Sequence, residues 1–163
     1  MKRLILMRHA KSDWSGGPTK DHDRPLNPRG RKAASALGEW LLKHKVTPDE
    51  ILCSSSLRTM ETLTRLNLSP DIPTQYLRPL YLAPAEVILK TLHGAQGANV
   101  LMIGHNPGIG MMAEAILNTL PEHPKFLAYP SGATLVADFD IADWAQADWG
   151  KANARHFTVP RDL

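Results

Sequence analysis

An arginine and a histidine, Arg8 and His9, stand side by side directly after a short apolar run at residues 4–7. Such a run is typical of a buried strand, so both side chains are expected where that strand ends. A guanidinium group offers a planar fork of donors that matches phosphate oxygens, and a neutral imidazole can attack phosphorus. One dipeptide could therefore both bind a phosphoryl group and react with it.

The same two residue types recur after later apolar runs. Arg58 follows the run at residues 50–53, and His105 follows the run at residues 99–104. Two arginines and a helix N-terminus can hold a phosphoryl dianion through charge-assisted hydrogen bonds and oriented amides. One histidine has to be neutral to attack, while the other can be protonated and donate to a phosphoryl oxygen. Nearby arginines favour the neutral imidazole and a bound phosphate favours the charged one, so the two rings could differ.

The elements that position these residues alternate between strand and helix. Strands are expected at residues 4–7, 50–53, 74–77, 99–104, 133–139 and 156–159. Segments of helical periodicity separate most of them, which indicates a mostly parallel sheet with helices on both faces. We therefore expect an α/β fold, a single-domain three-layer α/β/α arrangement over residues 1–163. Ligands bind beyond the carboxyl ends of such strands, so the candidate residues are expected to converge on one edge of the sheet.

Loops and helix starts refine this prediction. The loop at residues 11–26 is long enough to be functional. The serines at residues 54–56 suit the cap of a helix that carries Arg58 in its first turn. Asn106 suits an N-cap and Pro107 the first residue of a helix that continues to about residue 120, which would place His105 at a helix N-terminus.

Composition favours a soluble protein with a core of its own. The chain has 163 residues, of which 43% are hydrophobic. Its single cysteine, Cys53, lies in an apolar run and is expected to be a buried small hydrophobe. No apolar stretch approaches the roughly twenty residues of a membrane span, and the N-terminal run is shorter than a signal-peptide core. We expect a cytoplasmic protein without membrane association.

Two fragments resemble motifs of other functions. Residues 108–113 satisfy the dinucleotide-binding pattern G-x-G-x-x-A, but three residues separate them from the strand, and no second strand ending in an acid follows promptly. We expect these glycines to pack the start of a helix closely. The remaining histidines show no paired spacing typical of metal ligands, so no metal is expected. They are His22, His44, His93, His123 and His156.

The charge pattern permits an anionic substrate. The formal net charge is +3, and the basic residues are mostly scattered. A modest cluster consists of Arg24, Arg29, Arg31 and Lys32. Asp21 and Asp23 dilute this cluster and aromatic residues do not interleave it, so nucleic-acid binding is not expected. A basic patch near the active-site edge would instead attract an acidic phosphoprotein.

Three segments of the chain resemble the signature segments of the histidine phosphatase superfamily: LMRHA at residues 6–10, SSSLRTMET at 54–62 and IGHNPG at 103–108. Two more, DRPLNPRG at residues 23–30 and SGA at 131–133, are similar to the small SixA branch, the phosphohistidine phosphatases. The resemblance covers nearly the whole chain in the expected order. It implies a phosphoglycerate mutase-like fold.

The resemblance also implies roles for the candidate residues. His9 would be the nucleophile, forming a phosphohistidine intermediate that water hydrolyses. Arg8, Arg58 and His105 would complete the phosphate pocket and stabilise charge on the transferring oxygens. Ser12 and the Asn106 amide are candidate secondary contacts that the resemblance leaves open. No metal or organic cofactor is implied.

The chain departs from many superfamily members in the middle region, where an acidic proton donor usually stands. Glu86 is the nearest candidate, and we expect it to be an exposed residue of a helix start, where the dipole stabilises its charge. Without a general acid, an alkoxide leaves poorly, whereas the phosphorus–nitrogen bond of phosphohistidine breaks more readily. The absence of a large insertion also predicts an open site that would admit a protein side chain.

These observations favour a phosphatase acting on phosphohistidine, with a phosphohistidine protein as the expected partner. A small-molecule phosphomonoesterase with the same mechanism is the nearest alternative. A module that recognises phosphate without turnover is an alternative of another class. Binding alone needs the arginines but no nucleophile, so the presence of both His9 and His105 argues against such a module.

Overall fold

The fold consists of strands that alternate with helices, as predicted. A computed structural model describes residues 1–17 and 19–163. Its strands are β1 (Lys2–Arg8), β2 (Glu50–Ser54), β3 (Thr74–Leu77), β4 (Asn99–Gly104), β5 (Thr134–Phe139) and β6 (Ala152–Thr158). Its helices are α1 (Pro28–Lys43), α2 (Leu57–Leu66), α3 (Ala85–His93) and α4 (Gly108–Ile116). Among the described residues, no helix combines the length and the apolar character needed to cross a bilayer.

The strands form one sheet in the order β3-β2-β4-β1-β5-β6. The four strands from β3 to β1 are parallel to one another, and β5 and β6 complete the sheet with antiparallel pairings. The predicted mostly parallel sheet is therefore confirmed. Because β4 lies between β1 and β2, the carboxyl ends of these three strands are neighbours at one edge.

Helices cover both faces of this sheet because the side chains of β1 alternate between two cores. Leu4 and Leu6 pack with residues of α3 and α4, whereas Ile5 and Met7 pack with residues of α1 and α2. All four are fully buried, as a strand inside a three-layer fold requires. Cys53 lies in the second core, where burial raises the pKa of its thiol to about 12.

Helix α4 differs from its predicted bounds at both ends. Pro107 is the N-cap rather than the first helical residue, although the Asn106 side chain still accepts a hydrogen bond from the Gly110 N–H at 3.1 Å. The helix ends at Ile116 instead of near residue 120. Leu117 becomes extended and forms a bridge with Ala152, so pairing with the sheet takes the place of another helical turn.

Candidate active site

The register of two strands places the candidate histidines next to one another. Arg8 pairs with Gly104 in the β1–β4 ladder, and the His9 N–H donates to the Gly104 carbonyl oxygen at 3.1 Å. His9 directly follows the end of β1 and His105 directly follows the end of β4. The centroids of the two imidazole rings lie 5.3 Å apart. Two segments far apart in sequence are thus joined by backbone pairing.

Arg58 reaches the same edge from the first turn of α2. Ser56 caps this helix by accepting a hydrogen bond from the Thr59 N–H, as the serine run predicted. The guanidinium of Arg58 is buried close enough to the histidines for its charge to lower the pKa of both His9 and His105. Arg8, His9, Arg58 and His105 thus lie together at one edge of the sheet, as predicted.

The His9 ring is neutral and has a defined tautomer. Its Nδ1 lies 2.7 Å from the carbonyl oxygen of Ala10. A carbonyl oxygen only accepts, so Nδ1 carries the proton and Nε2 keeps its lone pair. The pKa of His9 is lowered to about 3, mainly by burial and also by the charges of Arg58, Arg8 and Arg24, while the Ala10 hydrogen bond opposes these effects. Nε2 therefore has the electronic state that a nucleophile needs.

His105 is held at Nε2, by two serine hydroxyls, whereas His9 is held at Nδ1. Its Nε2 lies 2.8 Å from Ser54 Oγ and 3.5 Å from Ser56 Oγ. Its Nδ1 is buried without a hydrogen-bond partner among the described residues. The pKa of His105 is lowered to about 3, mainly by burial and to a smaller extent by the charges of His9 and Arg58. Nearby arginines were predicted to favour the neutral form of an imidazole, and they contribute at both rings, but burial is the larger cause at each.

Arg8 is oriented by a backbone carbonyl from a distant loop. Its Nη1 donates to the Tyr129 carbonyl oxygen at 3.2 Å, and its Nε is buried without a partner in the described part of the chain. Tyr129 has a φ of 45°, a conformation rare for a residue with a side chain. The fully buried Tyr129 hydroxyl donates to the Leu6 carbonyl oxygen at 2.5 Å, which fixes this loop against β1.

Arg58 is engaged by an acidic residue of the long loop that follows β1. Its Nη1 donates to the backbone carbonyl of Asp21 at 2.7 Å, and its Nη2 donates to Asp21 Oδ2 at 3.0 Å. Arg24 Nη2 and the Tyr81 hydroxyl also donate to the Asp21 carboxylate. The Tyr81 hydrogen bond, then those from Arg58 and Arg24, hold the pKa of Asp21 well below its usual range. Asp21 is therefore an anion in the place where a phosphate oxygen would find these donors.

The reactive groups lie beneath the surface rather than in the open site that was predicted. The exposed fractions are 6% for His9, 2% for Arg58 and 2% for His105. Asp21 covers Arg58, and the Tyr81 ring packs edge-on against the His105 ring with centroids 5.3 Å apart. The prediction of an open site took account only of the missing insertion, whereas Asp21 from the loop after β1 and Tyr81, which follows β3, cover the cluster.

The structure places the other candidate residues around this cluster. The Ser12 hydroxyl is buried and accepts a hydrogen bond from Arg24. The Asn106 side-chain amide donates to the carbonyl oxygens of Ala128 and Tyr129, at 3.2 and 3.0 Å. Glu86 lies exposed in the first turn of α3, as expected. Ser12 and Asn106 thus support the surrounding loops.

Four contributors to the site were missed by sequence reasoning. They are Asp21, Ser54, Tyr81 and Tyr129. Asp21 belongs to a loop whose length already indicated a function, and Ser54 belongs to the serine run, which was interpreted as a helix cap. Neither tyrosine carries a local signal, because each acts through a partner far away in sequence.

Comparisons with known proteins agree with this geometry. A family model described as the histidine phosphatase superfamily, branch 1, matches residues 4–80. An uncharacterized protein of Mycobacterium leprae is 35% identical over an alignment 163 residues long, which covers 95% of this chain and 100% of the relative. This chain belongs to the histidine phosphatase superfamily.

The solved structures that resemble this histidine phosphatase include SixA proteins. The SixA protein from Nakamurella multipartitia is 28% identical, with a TM-score of 0.85 and coverage of 98% of this chain and 96% of that one. A protein histidine phosphatase SixA complexed with tungstate shares the fold at 20% identity, with a TM-score of 0.78 and coverage of 99% of each chain. The predicted SixA-like branch and phosphoglycerate mutase-like fold are confirmed, and they support a phosphatase.

Proposed function

We propose that this histidine phosphatase hydrolyses phosphohistidine carried by a protein, through a covalent phosphohistidine on His9. One observation carries the proposal. The neutral His9 ring donates a hydrogen bond from Nδ1 to the Ala10 carbonyl oxygen, which leaves Nε2 unprotonated, and the ring lies beside His105 and close to two guanidinium groups. The description of the tungstate-bound relative as a protein histidine phosphatase supports the same substrate class.

The proposed reaction has two displacement steps. His9 Nε2 attacks phosphorus while the phosphorus–nitrogen bond of the substrate breaks, and the substrate histidine leaves with the electron pair of that bond. Water then attacks phosphorus, the bond to Nε2 breaks, and phosphate and one proton are released. Neither step requires a metal or an organic cofactor, because positioning and charge stabilisation supply the catalysis.

The remaining residues stabilise the transferring group. Arg8 and Arg58 donate to the non-bridging oxygens, whose charge is spread in the transition state. When the Ser54 hydroxyl donates to His105 Nε2, the ring proton resides on Nδ1, which then donates to a phosphoryl oxygen. A bound dianion raises the pKa of His105 from its resting value of about 3, which strengthens this hydrogen bond.

The preference for phosphohistidine follows from the leaving group. A phosphohistidine protonated on its second ring nitrogen leaves as neutral imidazole without help from an enzymatic acid. An alkoxide needs a proton as it leaves. Asp21 is held ionised by its three donors, and Glu86 is exposed on α3, so neither supplies this proton in the resting arrangement.

Trapping of the intermediate tests this function. The enzyme is mixed with a protein carrying labelled phosphohistidine and, separately, with a panel of phosphate esters, and each reaction is quenched within one turnover. We expect acid-labile label on His9 and turnover of the phosphohistidine protein. His9→Ala should abolish both, whereas the matched control His44→Ala, outside the site, should retain both.

Other outcomes contradict the proposal in different ways. Neither turnover nor label would refute the enzymatic function, and normal turnover by His9→Ala would refute the nucleophile. Hydrolysis of esters alone would identify a small-molecule phosphomonoesterase. In that case Glu86→Gln is decisive, because an ester hydrolase that uses Glu86 as its acid would lose about a hundredfold or more in kcat. Under our proposal Glu86→Gln leaves phosphohistidine turnover unchanged.

A further inference from the structure

A cavity lined by basic side chains lies beside the candidate active site. Its volume is about 1050 Å³. Five cationic residues line it, and we call this cavity the basic groove: Lys11, Arg29, Lys32, Lys125 and Arg161. Lys11 follows His9 by two residues, and Ala128 and Pro130, which also line the groove, flank the residue whose carbonyl binds Arg8. The groove and the site therefore share a wall.

A second, smaller cavity continues the positive surface along α1. It has a volume of about 520 Å³ and shares Arg29 and Lys32 with the basic groove. Arg31 and Arg65 add two further cations to its lining. The first turns of α1 thus separate two cavities of the same charge, and the N-terminus of this helix adds its own positive potential.

The linings of these cavities are basic without acidic neighbours. Among the residues that the structure describes, no Asp or Glu side chain lines either cavity. Across residues 1–17 and 19–163, none of the seven cations lies within ion-pair distance of a carboxylate, although Asp138 pairs with two other arginines, Arg3 and Arg155. Seven cations are therefore clustered along the two cavities, five of them in the groove beside the candidate site.

We propose that the basic groove binds an acidic segment of the protein that carries the phosphohistidine. This inference rests on the proposed function and deepens it, because it names a property of the substrate beyond its phosphoryl group. An extended chain advances about 3.3 Å per residue, so a few residues on either side of a phosphohistidine near His9 reach the groove. Complementary charge there accelerates encounter and fixes the orientation of the partner.

The lining favours a protein over a nucleic acid. Single-stranded nucleic acids are bound through aromatic side chains on which bases stack. No aromatic residue in the described part of the chain lines the groove, and small residues such as Ala33 and Ala36 lie between the cations. Such a surface accommodates flexible carboxylate side chains and offers no stacking platform.

Paired peptides test the proposal. Both carry the same phosphohistidine, one flanked by Glu and Asp and the other by Gln and Asn. For the wild-type enzyme we expect kcat/KM to be about tenfold higher for the acidic peptide at low ionic strength, through a lower KM, and this advantage to shrink as salt is added. The double variant Arg29→Glu/Lys32→Glu should lose the advantage while hydrolysing the neutral peptide at the wild-type rate.

One further double variant controls for the change in net charge, and another tests the opposite side of the groove. Lys90→Glu/Lys151→Glu changes the net charge of the protein equally at exposed sites outside both cavities and should keep the advantage. Lys125→Glu/Arg161→Glu reverses charge on the other side of the groove and should repeat the loss. Thermal unfolding of each variant establishes that it is folded.

The outcomes separate this inference from the proposed function. Equal kcat/KM for the two peptides, or an advantage that survives Arg29→Glu/Lys32→Glu, would overturn the groove assignment while leaving phosphohistidine hydrolysis intact. If neither peptide is hydrolysed, the proposed function fails, and anisotropy of the unphosphorylated acidic peptide still decides whether the groove binds it. Groove-dependent binding of a labelled oligonucleotide, without a preference for the acidic peptide, would assign the groove to nucleic acid instead.

Discussion

Arg58 donates hydrogen bonds through both terminal nitrogens to one residue, Asp21, at 2.7 Å to its backbone carbonyl and 3.0 Å to its carboxylate. The side chain of Arg58 is 3% exposed, whereas that of Asp21 is 43% exposed. A buried cation is therefore neutralised by an acid on the outer loop. In the proposed reaction an incoming phosphoryl group uses the same donors, so it has to displace the Asp21 carboxylate or bear its repulsion.

Removing this negative charge is expected to strengthen oxyanion binding. In Asp21→Asn the competing anion is gone, and we expect the Kd for inorganic phosphate and for tungstate to fall about tenfold. Titration calorimetry at constant pH measures this change. Asp23→Asn, two residues away with a side chain 65% exposed, is the matched control and should bind as the wild type does. Weaker binding by Asp21→Asn would show that Asp21 positions Arg58 for the anion.

Acid should destabilise the unliganded protein through its two central histidines. Both have a folded-state pKa of about 3, below the ordinary value of 6.5. As pH falls from 6.5 towards 3, the unfolded chain takes up these protons first, so the free energy of unfolding decreases by up to about 1.4 kcal/mol per pH unit for each ring. His105→Asn should reduce that slope by about 1 kcal/mol per pH unit. Urea unfolding at several pH values measures the slope, and equal slopes would contradict the prediction.

The hydroxyl of Ser54 should matter through the ring that it orients. Ser54→Ala removes the 2.8 Å hydrogen bond to His105 Nε2 and leaves that nitrogen only the longer 3.5 Å contact with Ser56 Oγ, so the ring is held less firmly. We expect kcat for a phosphohistidine substrate to fall about tenfold with KM little changed, because the donor is lost mainly in the transition state. Ser55→Ala removes a contact with His22 instead and serves as the control. An equal loss in both variants would refute a specific role for Ser54.

The start of α4 should tolerate no side chain at Gly108. A Cβ there would lie 1.8 Å from the Ala83 carbonyl oxygen, which confirms that this glycine packs the helix start closely. Gly108→Ala is expected to cost about 2–3 kcal/mol of stability or to prevent folding. A Cβ at Gly94 would lie 3.6 Å from the Thr91 carbonyl oxygen, which is an ordinary van der Waals contact. Gly94→Ala should therefore change stability by less than about 0.5 kcal/mol. Chemical denaturation compares the two variants.

Much of the fold was predictable because its signals are local. The residues of β4 match their predicted bounds, since a short apolar run bordered by polar residues marks a buried strand. Those of β3 match as well, although this strand is polar and partly exposed. The start of α1 was equally clear: Asn27 accepts a hydrogen bond from the Gly30 N–H at 2.8 Å, as its N-cap position predicted. The bounds of α4 were wrong because a tertiary bridge at Leu117 competes with helical periodicity.

Sequence patterns were enough to predict a mostly parallel sheet, the convergence of the candidate residues on one of its edges, and the identities of Arg8, His9, Arg58 and His105. The positions of strands and helices follow from patterns that each segment carries alone, whereas the order of the strands is a property of the assembled sheet. The tertiary structure alone decided the partners of these residues. Asp21 meets Arg58 across 37 positions, Ser54 meets His105 across 51, and Arg8 meets Tyr129 across 121. The protonation states belong to this second group, because burial lowers the pKa of both histidines, and no local pattern predicts that these two polar side chains are buried.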